Sequence, residues 1–177
     1  LNFADAKLTI AVEPLPAPGE NGADRVEILV STNKGQPLKP LAKIASGGEM
    51  SRIMLALKCV IADRDSIPTL IFDEIDSGIS GRTAQMVSEK MNVLGRSHQI
   101  ICITHLPQIA AMADSHYLIR KSVQNQTTVS TIRRLSEEES IQELSRMLGG
   151  VEITETVKES AREMRALAKS KKSGFEK

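Results

Sequence analysis

An α/β fold follows from three features of the 177-residue chain. Two short apolar runs, Thr69-Leu70-Ile71-Phe72 and Gln99-Ile100-Ile101-Cys102-Ile103-Thr104, have the unbroken hydrophobicity of buried parallel strands. Between and around them, apolar residues recur at helical spacing. Ahead of both, residues 1–45 alternate apolar and polar, as half-buried antiparallel strands do. We therefore expect a parallel-sheet core with flanking helices and an N-terminal antiparallel strand pair. The length suits one domain over 1–177, with a strand segment at 1–45, an α/β core at 46–135 and C-terminal helices at 136–177.

The elements follow in order. Lys7 to Val12 and Arg25 to Val30 read as strands, and Pro14, Pro16, Pro18, Gly19, Asn21 and Gly22 mark a loop between them. A second turn is expected at Asn33-Lys34-Gly35. Ile53, Leu57, Val60 and Ile61 predict a helix over 50–64, which Pro68 stops. Ser80 can cap a helix whose apolar face is Ala84, Val87, Met91 and Leu94, ended by Gly95. A short helix begins at Pro107, and two strands are expected near 116–121 and 127–134. Ser136 and Glu139 have capping-box spacing, and Gly149-Gly150 ends the helix that they start. Val157, Ala161, Met164 and Ala168 line the last one.

Composition narrows the function. A net charge of +1 gives no global basic field for nucleic acid, and aromatics at 2% are too few for a base-stacking platform. The tail from Lys158 to Lys177 carries seven basic residues against three acidic ones, which is a solvated helix face or a backbone contact. No apolar run approaches a membrane span, so no membrane is expected as a partner. Leu1-Asn2-Phe3 has no signal-peptide character. Cys59 and Cys102 lie in apolar runs and read as buried thiols in a reduced compartment.

Three clusters can carry chemistry, each at a junction between elements. Ser46-Gly47-Gly48-Glu49 precedes a helix. Its glycines let backbone approach a ligand, and the free N–H groups of a helix start favour an anion. The alternative is a glycine turn with a serine cap. Asp73-Glu74 ends the first apolar run, at the edge where open α/β sheets bind ligands. Asp73 could hold Mg²⁺, and Glu74, on the other side of the pleat, could polarise a water. The alternative is a pair of solvated acids. Asp76 follows in a turn. His105 ends the second run, at the same edge, where it could donate to a phosphate oxygen. A hydrolase built on Ser46 or Ser51 with His105 is a further option, although Gly-x-Ser-x-Gly is absent.

The order of these clusters is more specific than any one of them. It resembles the second half of an ABC-type ATPase head. The stretches Ser46 to Arg52, Leu70 to Gly81, Ile103 to Asp114 and Arg146 to Gly150 are similar to the C-terminal lobe of the head in the RecN family of bacterial SMC-like ATPases. The resemblance spans about residues 40–165 and implies an ATPase in DNA double-strand-break repair and recombination. It assigns Ser46, Gly47, Gly48 and Glu49 to the signature motif and Asp73 to Mg²⁺. It also assigns Glu74 to catalysis, Asp76 to the D-loop and His105 to the γ-phosphate switch. The ATP site would be shared between two heads of a homodimer, acting on DNA in the cytoplasm at the nucleoid.

One part of that pattern is missing. No Gly-x-x-x-x-Gly-Lys-Ser/Thr occurs in the 177 residues. In this family it lies in an N-terminal half beyond a coiled coil, so the chain looks like an excised lobe that needs that half to bind ATP. Two other readings stay open: the head lobe of another SMC-like ATPase, and a non-enzymatic dimerisation or DNA-binding module.

Overall fold

The computed structural model describes residue 3 and residues 5–44, 46–64, 66–124, 127–150 and 152–173. Leu1, Asn2 and the end of the basic tail, with Phe175 and Lys177, lie outside the described residues.

The N-terminal segment is an antiparallel ribbon of β1 (Lys7–Gly19) and β2 (Gly22–Ser31), with a two-residue β3 (Lys39–Pro40) on the far side of β2. The proline-rich stretch read as a loop is strand. β1 runs through Pro14, Pro16 and Pro18 to a tight turn at Glu20-Asn21, with a register shift between Pro14 and Gly19. β1 is the edge of its sheet, and an edge tolerates a residue with no N–H to give. Past β2 the expected turn forms, with Gln36 N–H donating to Asn33 O at 3.3 Å and Gly35 at a φ of 78°.

Helix α1 (Gly47–Ile61) starts three residues earlier than expected. The Ser46 hydroxyl accepts from Glu49 N–H, which makes Ser46 its N-cap and draws both glycines into the first turn. The buried face also differs. Gly48, Arg52, Ile53 and Leu55 are buried, whereas Val60 and Ile61 are exposed.

β4 (Thr69–Phe72) and β5 (Gln99–Cys102) pair in parallel, Thr69 with Gln99 through Phe72 with Cys102. α2 (Gly81–Leu94) connects them and buries the expected face of Ala84, Val87, Met91 and Leu94. Ser80 is its N-cap without a side-chain bond. The strands are not buried on both sides as their apolar runs suggest. Phe72, Leu70, Ile100 and Cys102 join the core with Leu55 of α1 and the α2 face. Ile71 and Ile101, one step out of phase, are exposed. Both helices lie on one face, so the pleat sends every second side chain to the uncovered one.

The short α3 (Pro107–Ala110) joins two cores. Ile109 belongs to the first, while Ala110, Ala111 and Met112 pack with Leu144, Ala161 and Ala168 in the second. A hairpin follows, β6 (Tyr117–Gln124) with β7 (Thr127–Arg134). α4 (Glu137–Gly149) opens with the full capping box, in which Glu139 N–H donates to Ser136 Oγ and Ser136 N–H donates to Glu139 Oε2. Gly150, at a φ of 66°, ends it. α5 (Glu155–Ser173) buries Ala161 and Ala168 as its spacing required. Much of its positive charge is paired within the chain: Arg165 and Lys169 with Glu137, Lys171 with Glu89 and Lys172 with Asp114. No described helix is long and apolar enough to cross a membrane.

Candidate functional site

The carboxyl ends of β4 and β5 and the start of α1 meet at one edge. The strand ladder carries on for one bond past β5, with Ile103 N–H donating to Phe72 O at 3.0 Å. Asp73 and His105 therefore leave the sheet at the same end, as their positions in the sequence required.

Asp73 and Glu74 lie beyond the last strand residue, so pleat alternation no longer sets their directions. Glu74 takes a left-handed backbone with a φ of 56°, unlike any other described residue except glycines. Such a conformation costs roughly 1–2 kcal/mol in a residue with a Cβ. Local bonds hold it: Glu74 N–H donates to Asp73 Oδ1 at 2.9 Å, and Ser77 N–H to Glu74 O at 2.9 Å. The bend turns the exposed Glu74 side chain towards the first turn of α1. A Cβ added at Gly47 would collide with the Glu74 carboxylate. One at Gly48 would lie 2.9 Å from Glu74 O and from the Cβ and O of Ser77. The two glycines thus let α1 sit directly on the 74–77 turn, a closer contact than the sequence suggested. Ser46 and Gly47 are exposed, and Glu49 is half-buried.

Asp76 is buried, and one carboxylate oxygen gathers its contacts. Its Oδ2 accepts from Thr104 Oγ1 at 2.6 Å and from His105 N–H at 2.8 Å, and lies 3.0 Å from His105 Nδ1. His105 keeps 74% of its side chain exposed, so the ring is anchored at Nδ1 and presents Nε2 to solvent. The structure thus joins Asp76 to His105, and Gly47 and Gly48 to Glu74. Ser51 Oγ donates to Asp73 O at 2.9 Å, and Ser46 Oγ is engaged by Glu49 N–H. Neither hydroxyl is directed at His105, so nothing here resembles a serine nucleophile with its base.

Two contributors escaped the sequence reading of roles. Thr104 donates to the same Asp76 oxygen as His105, and its hydroxyl also accepts from Leu106 N–H at 3.0 Å. Arg52 is buried beneath the 74–77 turn, with Nη1 donating to Ile75 O at 3.2 Å and Ser77 O at 2.8 Å. The signal for Arg52 was its place four residues after Gly48, on the row that also holds Leu55.

A metal would need donors from outside this set. Among the described residues no group of three or more His, Cys, Asp or Glu side chains is placed to hold an ion. Asp73 nonetheless suits Mg²⁺, which is held by one or two carboxylates together with waters and phosphate oxygens. Its Oδ1 is engaged by Glu74 N–H, and among the described residues Oδ2 has no hydrogen-bond partner. Cys102, beneath the site, is chemically quiet. Burial pushes its thiol up to about 12, helped by the nearby Asp76 and Asp73 carboxylates.

No protein-family model matches the chain. Sequence relatives are clear. The chain is 50% identical over 151 residues to the DNA repair protein RecN of Halalkalibacterium halodurans, covering 85% of this chain and 27% of that protein. It is 47% identical over 145 residues to the DNA repair protein RecN of Bacillus subtilis, covering 82% and 25%. The chain spans about a quarter of the length of these relatives. Among solved structures, an Smc head domain with a coiled coil and joint from Pyrococcus yayanosii superposes with a TM-score of 0.56 at 25% identity, over 81% of this chain and 26% of that one. An Smc head domain from Pyrococcus furiosus, with an extended coiled coil and bound to the C-terminal domain of ScpA, gives 0.52 at 24% identity, over 82% and 34%. By sequence the chain is thus homologous to RecN proteins over about a quarter of those proteins' length, and its fold is similar to part of an Smc head domain.

Proposed function

We propose that the chain supplies one side of an ATP-hydrolysing site in a DNA repair protein. One observation carries the reading: a helix start, the exposed Glu74 carboxylate and an anchored histidine converge at a single edge. Phosphoryl transfer needs positioning, charge stabilisation and an oriented water more than covalent chemistry, and these groups match that need.

In this reading Glu74 orients the attacking water and takes its proton. The left-handed bend sets its carboxylate against Gly47, at the start of α1, where that water would lie. Asp73 would hold Mg²⁺, which neutralises charge on the phosphates when bound. His105 reaches the γ-phosphate through Nε2 while Asp76 fixes the ring from Nδ1. With Nδ1–H donated to Asp76, Nε2 donates to a phosphate oxygen only in the imidazolium form. Ser46, Gly47, Gly48 and Glu49 offer the start of α1 to the γ-phosphate held by a second copy of the head. The phosphate-cradling glycine loop absent from these 177 residues would come from an upstream half of the same protein. Hydrogen bonds to the γ-phosphate exist only before hydrolysis, so ATP would close two heads and hydrolysis release them. The relatives' repair role makes DNA the expected partner, in the bacterial cytoplasm at the nucleoid.

The test is ATP hydrolysis by the complete protein, wild type beside Glu74→Gln, with and without DNA. The variant should turn over about 10²–10⁴-fold more slowly, the range for losing a general base, while still binding ATP. Wild-type turnover in the variant would refute the role of Glu74.

A further inference from the structure

Arg52 is a buried cation with no acidic partner in hydrogen-bond contact among the described residues. Its Nη1 binds two backbone carbonyls, Ile75 O at 3.2 Å and Ser77 O at 2.8 Å, and these lie on either side of Asp76. Its Cζ lies 5.7 Å from the centroid of the Phe3 ring, and its Nε is buried without a partner. Burial lowers its pKa, opposed in part by Glu49. Sequestering a guanidinium in this way is costly, and an aliphatic side chain would fill the same row without that cost. What the arginine adds is a fixed position for the Asp76 backbone.

That position matters because Asp76 has no freedom of its own. Its carboxylate binds Thr104 Oγ1, His105 N–H and His105 Nδ1. Gly48, one helical turn before Arg52, meets the same 74–77 turn at Glu74 O and at Ser77. The start of α1, the 75–77 backbone and the His105 ring therefore form one continuous set of contacts, and Arg52 is the bolt between the first two.

We infer that Arg52 is a positioning residue for His105: by clamping the carbonyls of Ile75 and Ser77 it sets Asp76, and Asp76 sets the imidazole. This rests on the ATP-hydrolysis reading given above. The clamp acts on the orientation of a reacting group, so its loss should appear in turnover and not in ATP affinity. Misplacing a positioned group by about 1 Å can cost on the order of 10²-fold in rate.

The experiment uses the complete protein and four variants: Arg52→Met, Arg52→Lys, His105→Ala and the double variant Arg52→Met/His105→Ala. Steady-state ATP hydrolysis gives kcat and KM, and thermal melting reports the fold. Arg52→Met should lower kcat about 10–100-fold and leave KM for ATP within about twofold. Arg52→Lys, whose ammonium can reach one carbonyl, should recover part of the loss. The double variant should be no slower than the slower single within about twofold, because residues acting through one another do not add. A kcat for Arg52→Met close to wild type would overturn the proposal, as would losses that multiply in the double variant. If Arg52→Met melts early, Arg52→Lys replaces it in the same double-variant comparison, and multiplied losses there overturn the proposal equally. Glu74→Gln serves as the control. If it turns over normally, the hydrolysis reading itself fails. If it collapses while Arg52 proves independent of His105, only this inference fails.

Discussion

The β1–β2 ribbon and the β4–β5 pair are both built from aliphatic residues, yet they use them in opposite ways. In the ribbon, Leu8, Ile10, Val12 and Val26 lie on one face and are 49–64% exposed. Burial starts only near the end of β2, at Val30 and Ser31. In the pair, one face disappears under α1 and α2, and the ends of the strands carry the chemistry. The difference shows that an apolar strand face does not organise a site by itself. Helices do, by pressing the strands from one side and bringing a helix start to the strand ends. Gly47, Gly48 and Arg52 matter because they bring α1 down onto the 74–77 turn.

The contrast can be tested by the same kind of truncation in both regions, and the largest effect belongs to the core. Leu55 of α1 is fully buried, so Leu55→Ala should cost about 2–5 kcal/mol through lost transfer energy and the cavity left behind. Urea denaturation measures it. A cost below 1 kcal/mol would mean that the helix packs less closely on β4–β5 than its burial indicates.

Gly48→Ala is next. The added methyl would lie 2.9 Å from two carbonyl oxygens and from Ser77 Cβ, all of them backbone or near it. Overpacking of this kind costs about 1–3 kcal/mol. Gly47→Ala meets only the movable end of Glu74 and should cost less in stability. Equal costs for the two would show that the 74–77 turn yields as easily as a side chain.

A smaller effect depends on pH. His116 is held below its usual range, first by burial and then by Arg165, with Glu143 opposing. Its Nδ1 lies 2.8 Å from Ser140 Oγ, between the hairpin and α4. A depressed pKa means that the unfolded chain takes up the proton first as pH falls. Stability is therefore intact above about pH 6.5 and is lost as pH drops from there through the lower folded value. The slope cannot exceed about 1.4 kcal/mol per pH unit for one proton. Urea midpoints at several values from pH 7.5 to 5 should fall for the wild type and stay flatter for His116→Gln. Parallel curves would rule out His116 as the source, leaving acids such as Glu137 and Glu89 that are held low by lysines.

Legibility followed the same division. Local signals were reliable wherever one segment decided the outcome. The capping box of Ser136 and Glu139, the α2 face and the parallel alignment of the two apolar runs all formed as expected. The order of Gly47, Asp73 and His105 along the chain placed them at one edge before any coordinates. What stayed hidden depends on contacts between segments. The buried row of α1 is set by where the helix leans, so Val60 and Ile61 face outwards while Arg52 goes in. The Thr104–Asp76 bond spans 28 positions, and no local pattern announces it. The left-handed turn at Glu74 redirects its side chain in a way strand periodicity could not foresee.

The smallest expected effect sharpens the comparison most. Ile10 is 58% exposed in the ribbon, so Ile10→Thr keeps the β-branched shape while removing an apolar group that this chain leaves in water. Stability should change by no more than about 0.5 kcal/mol, as for surface substitutions. Binding of an apolar dye should weaken, since Leu8, Ile10, Val12 and Val26 share one face through the pairing of Ile10 with Ile28 and Val12 with Val26. If the urea midpoint instead fell as far as it does for Leu55→Ala, the ribbon face would have to be covered in solution. The distinction between a ribbon without a covering layer and a pair that has one would then fail.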